Sequence, residues 1–361
     1  MKRISAAAAL ALAAACGGTN PPPPPLASIA MPTGAALKPY DAASPSLARP
    51  EGMALVNGTA YVALANYDAN FTSAGPGLLA AVVPSTGATT VIDLGGSSGH
   101  SCQEPGFVRA AGNFLYAVCG GDFGFPANGQ AIVEVNPATA AVTRSVAVET
   151  SPAGFAAAAT RYWFGDAFGG NVYAIDPATF TVVAGPLPIP CPTTGNFFTT
   201  NDVMVLNGNL YAICSNNTGG IISQLDAATG AVKLQADSGP TAVEMTATSD
   251  GRIAIVSGAD SSIRLVTIGA TLTVQTFTTV FSSGTAVLQD VRSLNNFLYT
   301  TASGSNTVQK ISLTSANGPA VVDEQNTGTS ANPWNILPLD DNHAVVSNQG
   351  TQTLTGVTWA H

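Results

Sequence analysis

Five carboxylates recur at matching places in this chain: Glu51, Glu104, Asp202, Glu244 and Asp290. Each stands where an apolar run begins. Arg292 and Trp334 stand at similar positions, and His100 precedes the Glu104 segment. If the apolar runs are strands that converge, these side chains meet. A funnel of carboxylates and amides has the chemistry to hold Ca²⁺, which takes six to eight oxygen ligands. Asp68, Asp122, Asp166, Asn216, Asn217, Asp260 and Asn348 fall in later loops that would open on the same side. A plainer explanation competes. Asp and Asn favour loops because their side chains bond the local backbone, so polar loops show this scatter with no site at all. Trp334 is equally suited to packing around an axis. No nucleophile elbow, phosphate-binding loop, HExxH pair or glycine-rich dinucleotide motif appears in context. His343 and His361 read as surface residues.

What would bring the acidic residues together is a repeat. From about residue 49 to the end, seven copies of one pattern follow each other. Each copy has an apolar run, a tight turn, a second run, a polar loop, a third run and a second turn. The first turns are Asn57-Gly58, Gly112-Asn113, Ala159-Thr160, Asn207-Gly208, Asp250-Gly251, Asn295-Asn296 and Asp341-Asn342. Shortly beyond them lie Tyr61, Tyr116, Trp163, Tyr211, Ala254, Tyr299 and Val345, at intervals of 55, 47, 48, 43, 45 and 46. Short strands at such a period mean a radial or stacked array. In the first copy, residues 51–56, 59–65, 78–83 and 88–94 read as strands, and Asn57-Gly58 is the strongest two-residue hairpin signal. Four antiparallel strands per unit make a propeller blade. The predicted fold is all-β, a seven-bladed β-propeller.

The seventh copy lacks a fourth strand, because residues 353–359 end the chain. An open ring would leave sheet edges unpaired. Residues 27–31 or 35–38 are therefore expected to complete the last blade from the N-terminal side. The Ala-rich stretch 155–159 favours helix by propensity, but its place in the repeat predicts an innermost strand.

Four cysteines obey the same symmetry. Cys119 and Cys214 each lie three residues after the aromatic of their copy, and Cys102 and Cys191 lie in the loops leading into those copies. Four cysteines allow three pairings; the repeat selects Cys102–Cys119 and Cys191–Cys214. Each link is worth roughly 3 kcal/mol in the loop-entropy account. No CxxC spacing supports a thiolate metal site.

Tyr61-Val62-Ala63, Tyr211-Ala212-Ile213 and the turn Asp176-Pro177-Ala178-Thr179 resemble the YVTN-type β-propellers and their quinoprotein-like and lactonase-like relatives. The resemblance spans about residues 49–361. It implies the fold and leaves the activity open. In the gluconolactonase-type members, acidic and Asn residues at the channel hold a metal ion that polarises a lactone. A divalent-metal-dependent hydrolase or lyase at the channel mouth is thus the alternative to a non-catalytic binding or scaffolding module acting through the top face.

The first residues read as an export signal. Met1-Lys2-Arg3 is positive, and an apolar stretch of twelve residues follows. That is short of the about 20 needed to span a bilayer and suits a secretory signal. Leu12-Ala13-Ala14-Ala15-Cys16-Gly17 resembles a bacterial lipobox, with Leu one place early. The resemblance implies a signal over residues 1–15, cleavage before Cys16 and lipid on its sulfur. Gly17 in place of Asp favours the outer membrane. Residues 16–25 end in five prolines, a stiff polyproline spacer; residues 26–361 form the propeller.

Charged residues are only 9% of the chain, and the net charge is −9. That balance repels nucleic acid, and no Lys/Arg run exists to counter it. The expected partners are a membrane, through the lipid, and an envelope protein or small molecule. A monomer is expected, with no cofactor beyond Ca²⁺.

Overall fold

The computed structural model describes residues 23–32, 47–68, 75–95, 102–122, 128–195, 199–279, 281, 287–316 and 318–360. Cys16, His100 and the candidate strand 35–38 lie outside them. Hairpin chemistry sets the blades. Asn57 and Gly58 take φ +50° and +77°, and Asn207 and Gly208 take +50° and +75°. Positive φ at both central residues matches the twist of the flanking strands, so the pair closes tightly.

Seven four-stranded antiparallel sheets result, and no helix occurs among the described residues. We number the blades 1–7. Their innermost strands are Pro50–Val56, Pro105–Ala111, Pro152–Ala157, Thr199–Leu206, Ala242–Ala247, Leu288–Leu294 and Pro333–Pro338. The Ala-rich stretch is thus strand through Ala157, as its place in the repeat requires, while Ala158 and Ala159 belong to the turn that follows. Consecutive innermost strands pack around a ring, and Pro50–Val56 meets Pro333–Pro338 to close it.

Closure comes from the N-terminal side. Ser28–Ala30 pairs with Thr353–Thr358 as the outer strand of blade 7, with Ile29 opposite Leu354. Ile29 is buried with Met31, Val345 and Leu354. The hydrophobic core lies between blades. Trp163 of blade 3 is buried against Val203 and Leu210 of blade 4, and its indole N–H donates to the Ala227 carbonyl at 3.0 Å. Both predicted disulfides are present, with Cα separations of 5.4 Å for Cys102–Cys119 and 5.2 Å for Cys191–Cys214. Each pins the loop leading into a blade onto that blade's second strand.

Strand direction defines two faces. The loops between blades and the second-to-third strand loops share the top face. The hairpin turns and third-to-fourth strand turns share the bottom. Ser28–Ala30 runs antiparallel to Thr353–Thr358, so the chain joins the wheel at the bottom. The Leu26 amide donates to the Pro84 carbonyl in a bottom turn at 2.9 Å. Pro23 and Pro24 line a shallow recess with Leu294, Asn295 and residues 339–343, also at the bottom.

Candidate ligand site at the channel mouth

A bulge near the start of each innermost strand shapes the axis. The register shifts between Pro50 and Met53, Pro105 and Phe107, Ala153 and Ala156, Thr200 and Asp202, Ala242 and Glu244, Leu288 and Asp290, and Pro333 and Asn335. Bulges re-aim side chains. The repeat-equivalent residues are Gly52, Phe107, Gly154, Asp202, Glu244, Asp290 and Asn335. Three of them clamp the next blade: Asp202 Oδ2 accepts from the Met245 amide at 3.1 Å, Asp290 Oδ2 from the Ile336 amide at 2.8 Å, and Asn335 Oδ1 from the Met53 amide at 3.1 Å. At Gly52 the next blade comes too close for a side chain; a Cβ would lie 2.6 Å from the Gly106 carbonyl oxygen.

Two arginines, each two residues beyond the bulge position, neutralise this ring. Arg109 Nη2 lies 2.5 Å from Glu244 Oε1 and 3.5 Å from Asp202 Oδ1. Arg292 reaches Glu244 Oε1 at 2.8 Å, Asp290 Oδ2 at 3.2 Å and Asn335 Oδ1 at 3.2 Å. Burial lifts Asp290 well above the usual carboxylate range and raises Asp202 as well. Burial also pushes Glu244 up, but Arg292 and Arg109 outweigh it and hold it below its ordinary value. Asp290 Oδ1 has no donor within reach. The neighbouring Glu244 carboxylate adds to the rise at Asp290. The cluster ties together blades 2, 4, 5, 6 and 7. Asp202, Glu244, Asp290 and Arg292 are thus brought together, and apart from Asp290 Oδ1 their carboxylate contacts run to one another and to backbone amides.

Glu51 and Glu104 belong to a second cluster, nearer the mouth. Glu51 Oε1 accepts from Arg49 Nε at 3.0 Å and from Gln349 Nε2 at 3.2 Å. Its side chain is only 10% exposed. Oε2 sits over Gly106, where a Cβ would come within 3.3 Å of it. Burial raises Glu51 to about 8 against the pull of Arg49, and the Glu104 charge adds to the rise. Burial raises Glu104 also. The Tyr67 hydroxyl donates to Glu104 Oε1, and the Arg49 guanidinium lies over the Tyr67 ring at 4.7 Å.

A cavity of about 880 Å³ opens above these acids on the top face. Its lining includes Glu51, Glu104, Phe107, Asp122, Glu149 and Phe168. Phe168 is 82% exposed. The volume falls within the range of small-molecule sites, roughly 300–1,000 Å³.

The other expected residues separate from this site. Trp334 is half-buried outside the cavity lining, and its carbonyl accepts from Thr301 Oγ1 at 3.0 Å. Several loop residues bond their own turns: Asp166 Oδ1 accepts from the Phe168 amide at 3.0 Å, Asn216 Oδ1 from the Thr218 amide at 2.9 Å, and Asp260 Oδ1 from the Ser262 amide at 3.2 Å. Among the described residues, no group of three or more His, Cys, Asp or Glu side chains is arranged to hold a metal ion. Sequence reasoning missed Arg109, Arg49 and Tyr67. Aligning the copies would have found Arg109, which is the repeat equivalent of Arg292.

The chain is a seven-bladed β-propeller with an ion-paired axis and a cavity at one mouth. No protein-family model matches it, and no curated protein does. Solved structures do. A catalytically inactive virginiamycin B lyase from Staphylococcus aureus with quinupristin superposes with a TM-score of 0.66 at 15% identity, over 92% of this chain and 98% of that one. A candidate 6-phosphogluconolactonase from Bacteroides fragilis gives 0.62 at 13%, over 84% and 91%. The β-propeller domain of Cps50 (Swd1) from Myceliophteria thermophila gives 0.66 at 11%, over 86% and 97%. Similarity at these identities establishes the fold, which hosts many activities.

Proposed function

We propose that this protein is a lipid-anchored propeller of the bacterial cell envelope that binds a small ligand in the cavity at its top face. The cavity carries the reading: it is large, concave and lined by apolar surface with a few converging carboxyls. The strands around Tyr61 and Tyr211 support a place near the YVTN-type propellers. Orientation supports the anchor. The N-terminal tail joins the bottom face, so a lipid on Cys16, reached through the proline spacer, would leave the cavity facing away from the membrane. The two disulfides suit an oxidising compartment, and Gly17 favours the outer membrane. The ion-paired axis acts as a rigid floor beneath the ligand.

A small-molecule library screened by thermal shift tests the site. Ligands should raise the melting temperature by mass action, and Ala167→Trp, which fills the cavity from blade 3, should abolish the gain without unfolding the protein. Hits that are indifferent to Ala167→Trp would place binding elsewhere. Cys16→Ala should move the protein from the membrane fraction to the soluble one; retention in the membrane would remove the anchor.

A further inference from the structure

We propose that the ligand of the top-face cavity is an organic cation: a protonated amine or quaternary ammonium carried on an apolar body. The proposal rests on the cavity being the binding site and adds its chemical class. Four carboxyl residues line the space, namely Glu51, Glu104, Asp122 and Glu149, and the described lining holds no Lys, Arg or His. Two cations stand behind the lining: Arg49, bonded to Glu51 Oε1 and stacked over Tyr67, and Arg109, held by Glu244 and Asp202 beneath Phe107. The described lining is therefore acidic in composition, with no basic side chain to balance it.

Glu51 supplies the specific observation. Its side chain is nine-tenths buried; Oε1 takes the bonds from Arg49 and Gln349, while Oε2 faces the cavity floor over Gly106. A carboxyl oxygen that faces a cavity can take a donor from whatever enters it. A ligand ammonium would provide both a donor and a positive charge there. Phe107 and Phe168 supply the rest of the match. Aromatic faces attract cations, most strongly where water is excluded, and they cover the apolar body. Phe107 already has the Arg109 guanidinium 5.4 Å from its ring centre, which leaves Phe168, at the rim, as the open ring. The net charge of −9 steers cations toward the protein.

The proton follows from the same geometry. Glu51 holds a proton near neutral pH when the cavity is free. Pairing with an ammonium favours the carboxylate, so the proton leaves to solvent as the cation enters.

Three probes of one shape separate the outcomes: phenethylamine, phenethyl alcohol and phenylacetate. Calorimetric titration of the full domain at neutral pH should show the amine binding at least about tenfold tighter than the alcohol, equal to roughly 1.4 kcal/mol, with phenylacetate weakest. The amine heats should differ between buffers of unlike ionisation enthalpy, reporting proton release. Glu51→Gln should remove most of the amine's advantage and leave the alcohol unchanged. Phe168→Ala, at an exposed position that the fold does not need, should weaken the amine several-fold. Equal affinity for amine and alcohol, or an amine affinity indifferent to Glu51→Gln, overturns the cation and leaves the cavity as a site. Silence of all three probes overturns both.

Discussion

Replacing Glu51 with Gln should make the protein more stable at alkaline pH than the natural chain. In the folded state burial raises the Glu51 carboxyl to about 8, against an ordinary 4.5. The folded protein thus binds a proton that the unfolded chain releases between these values. A group raised in this way adds stability that is complete below the unfolded value and disappears as pH climbs through the folded one. At about 1.4 kcal/mol per pH unit, the whole window is worth roughly 5 kcal/mol. Glutamine mimics the protonated acid and does not titrate. The gap between variant and natural protein should therefore widen by roughly 4 kcal/mol from about pH 5 to about pH 9. Urea denaturation across that range measures the gap, and a ¹³C titration of the Glu51 carboxyl reads the proton directly. Parallel stability curves, or a carboxyl that titrates near its ordinary value, would refute the account of the mouth.

Three further outcomes follow from the fold. Ile29→Ala removes the buried centre of the closing strand and should cost about 2–4 kcal/mol in chemical denaturation; a loss within error would mean that the seventh sheet does not need its N-terminal strand. Arg109→Met leaves Asp202 and Glu244 buried with one cation fewer, and should cost about 3 kcal/mol at neutral pH. The deficit should shrink in acid as the stranded carboxyls take up protons; a deficit that does not vary with pH would contradict the ion-paired axis. Reducing the disulfides, which close 17 and 23 residues, should lower stability by roughly 3 kcal/mol for each, seen as a fall in melting temperature with dithiothreitol.

The wheel was legible because its evidence is periodic. Turn pairs such as Asn57-Gly58 and Asn207-Gly208 mark the same point of successive blades, and the symmetry carries the cysteine pairing and the missing outer strand with it. The site was legible only in part. Glu51 and Glu244 look alike in sequence, each just inside an innermost strand. They stand one place apart relative to the bulge, however, Glu51 before Gly52 and Glu244 on the bulge position itself. One residue in a strand exchanges faces, so Glu51 turns to the mouth and Glu244 into the axis. No local pattern announces that offset; only pairing partners do. Arg109 hid for a related reason. It sits within the run Phe107-Val108-Arg109-Ala110-Ala111, where a lone cation reads as an outward residue. Its partners, Asp202 and Glu244, are distant in sequence and meet it only across the closed ring.

The axis shows how one methylene decides a side chain's role. Asp202, Asp290 and Asn335 share the bulge position and have short side chains, and each accepts a backbone amide from the next blade. Glu244 occupies the same position with a longer side chain. Its carboxylate reaches past the neighbouring backbone to lie between Arg109 and Arg292. Glu244→Asp should therefore convert it to the ring's common pattern. The shortened carboxylate should accept from the Val291 amide, the repeat equivalent of Met245 and Ile336, and release Arg109. The bond lost to Arg109 and the bond gained from the Val291 amide are both made to a charged carboxylate, worth about 1.5–3 kcal/mol each, so the net loss should stay within about 1.5 kcal/mol. The released guanidinium keeps Asp202 as its partner. Denaturation gives the loss, and amide hydrogen exchange gives the mechanism: Val291 should become more protected in the variant. A variant that loses the stability without gaining that protection would show that reach alone does not set the pattern, and that the backbone at Glu244 differs from its counterparts.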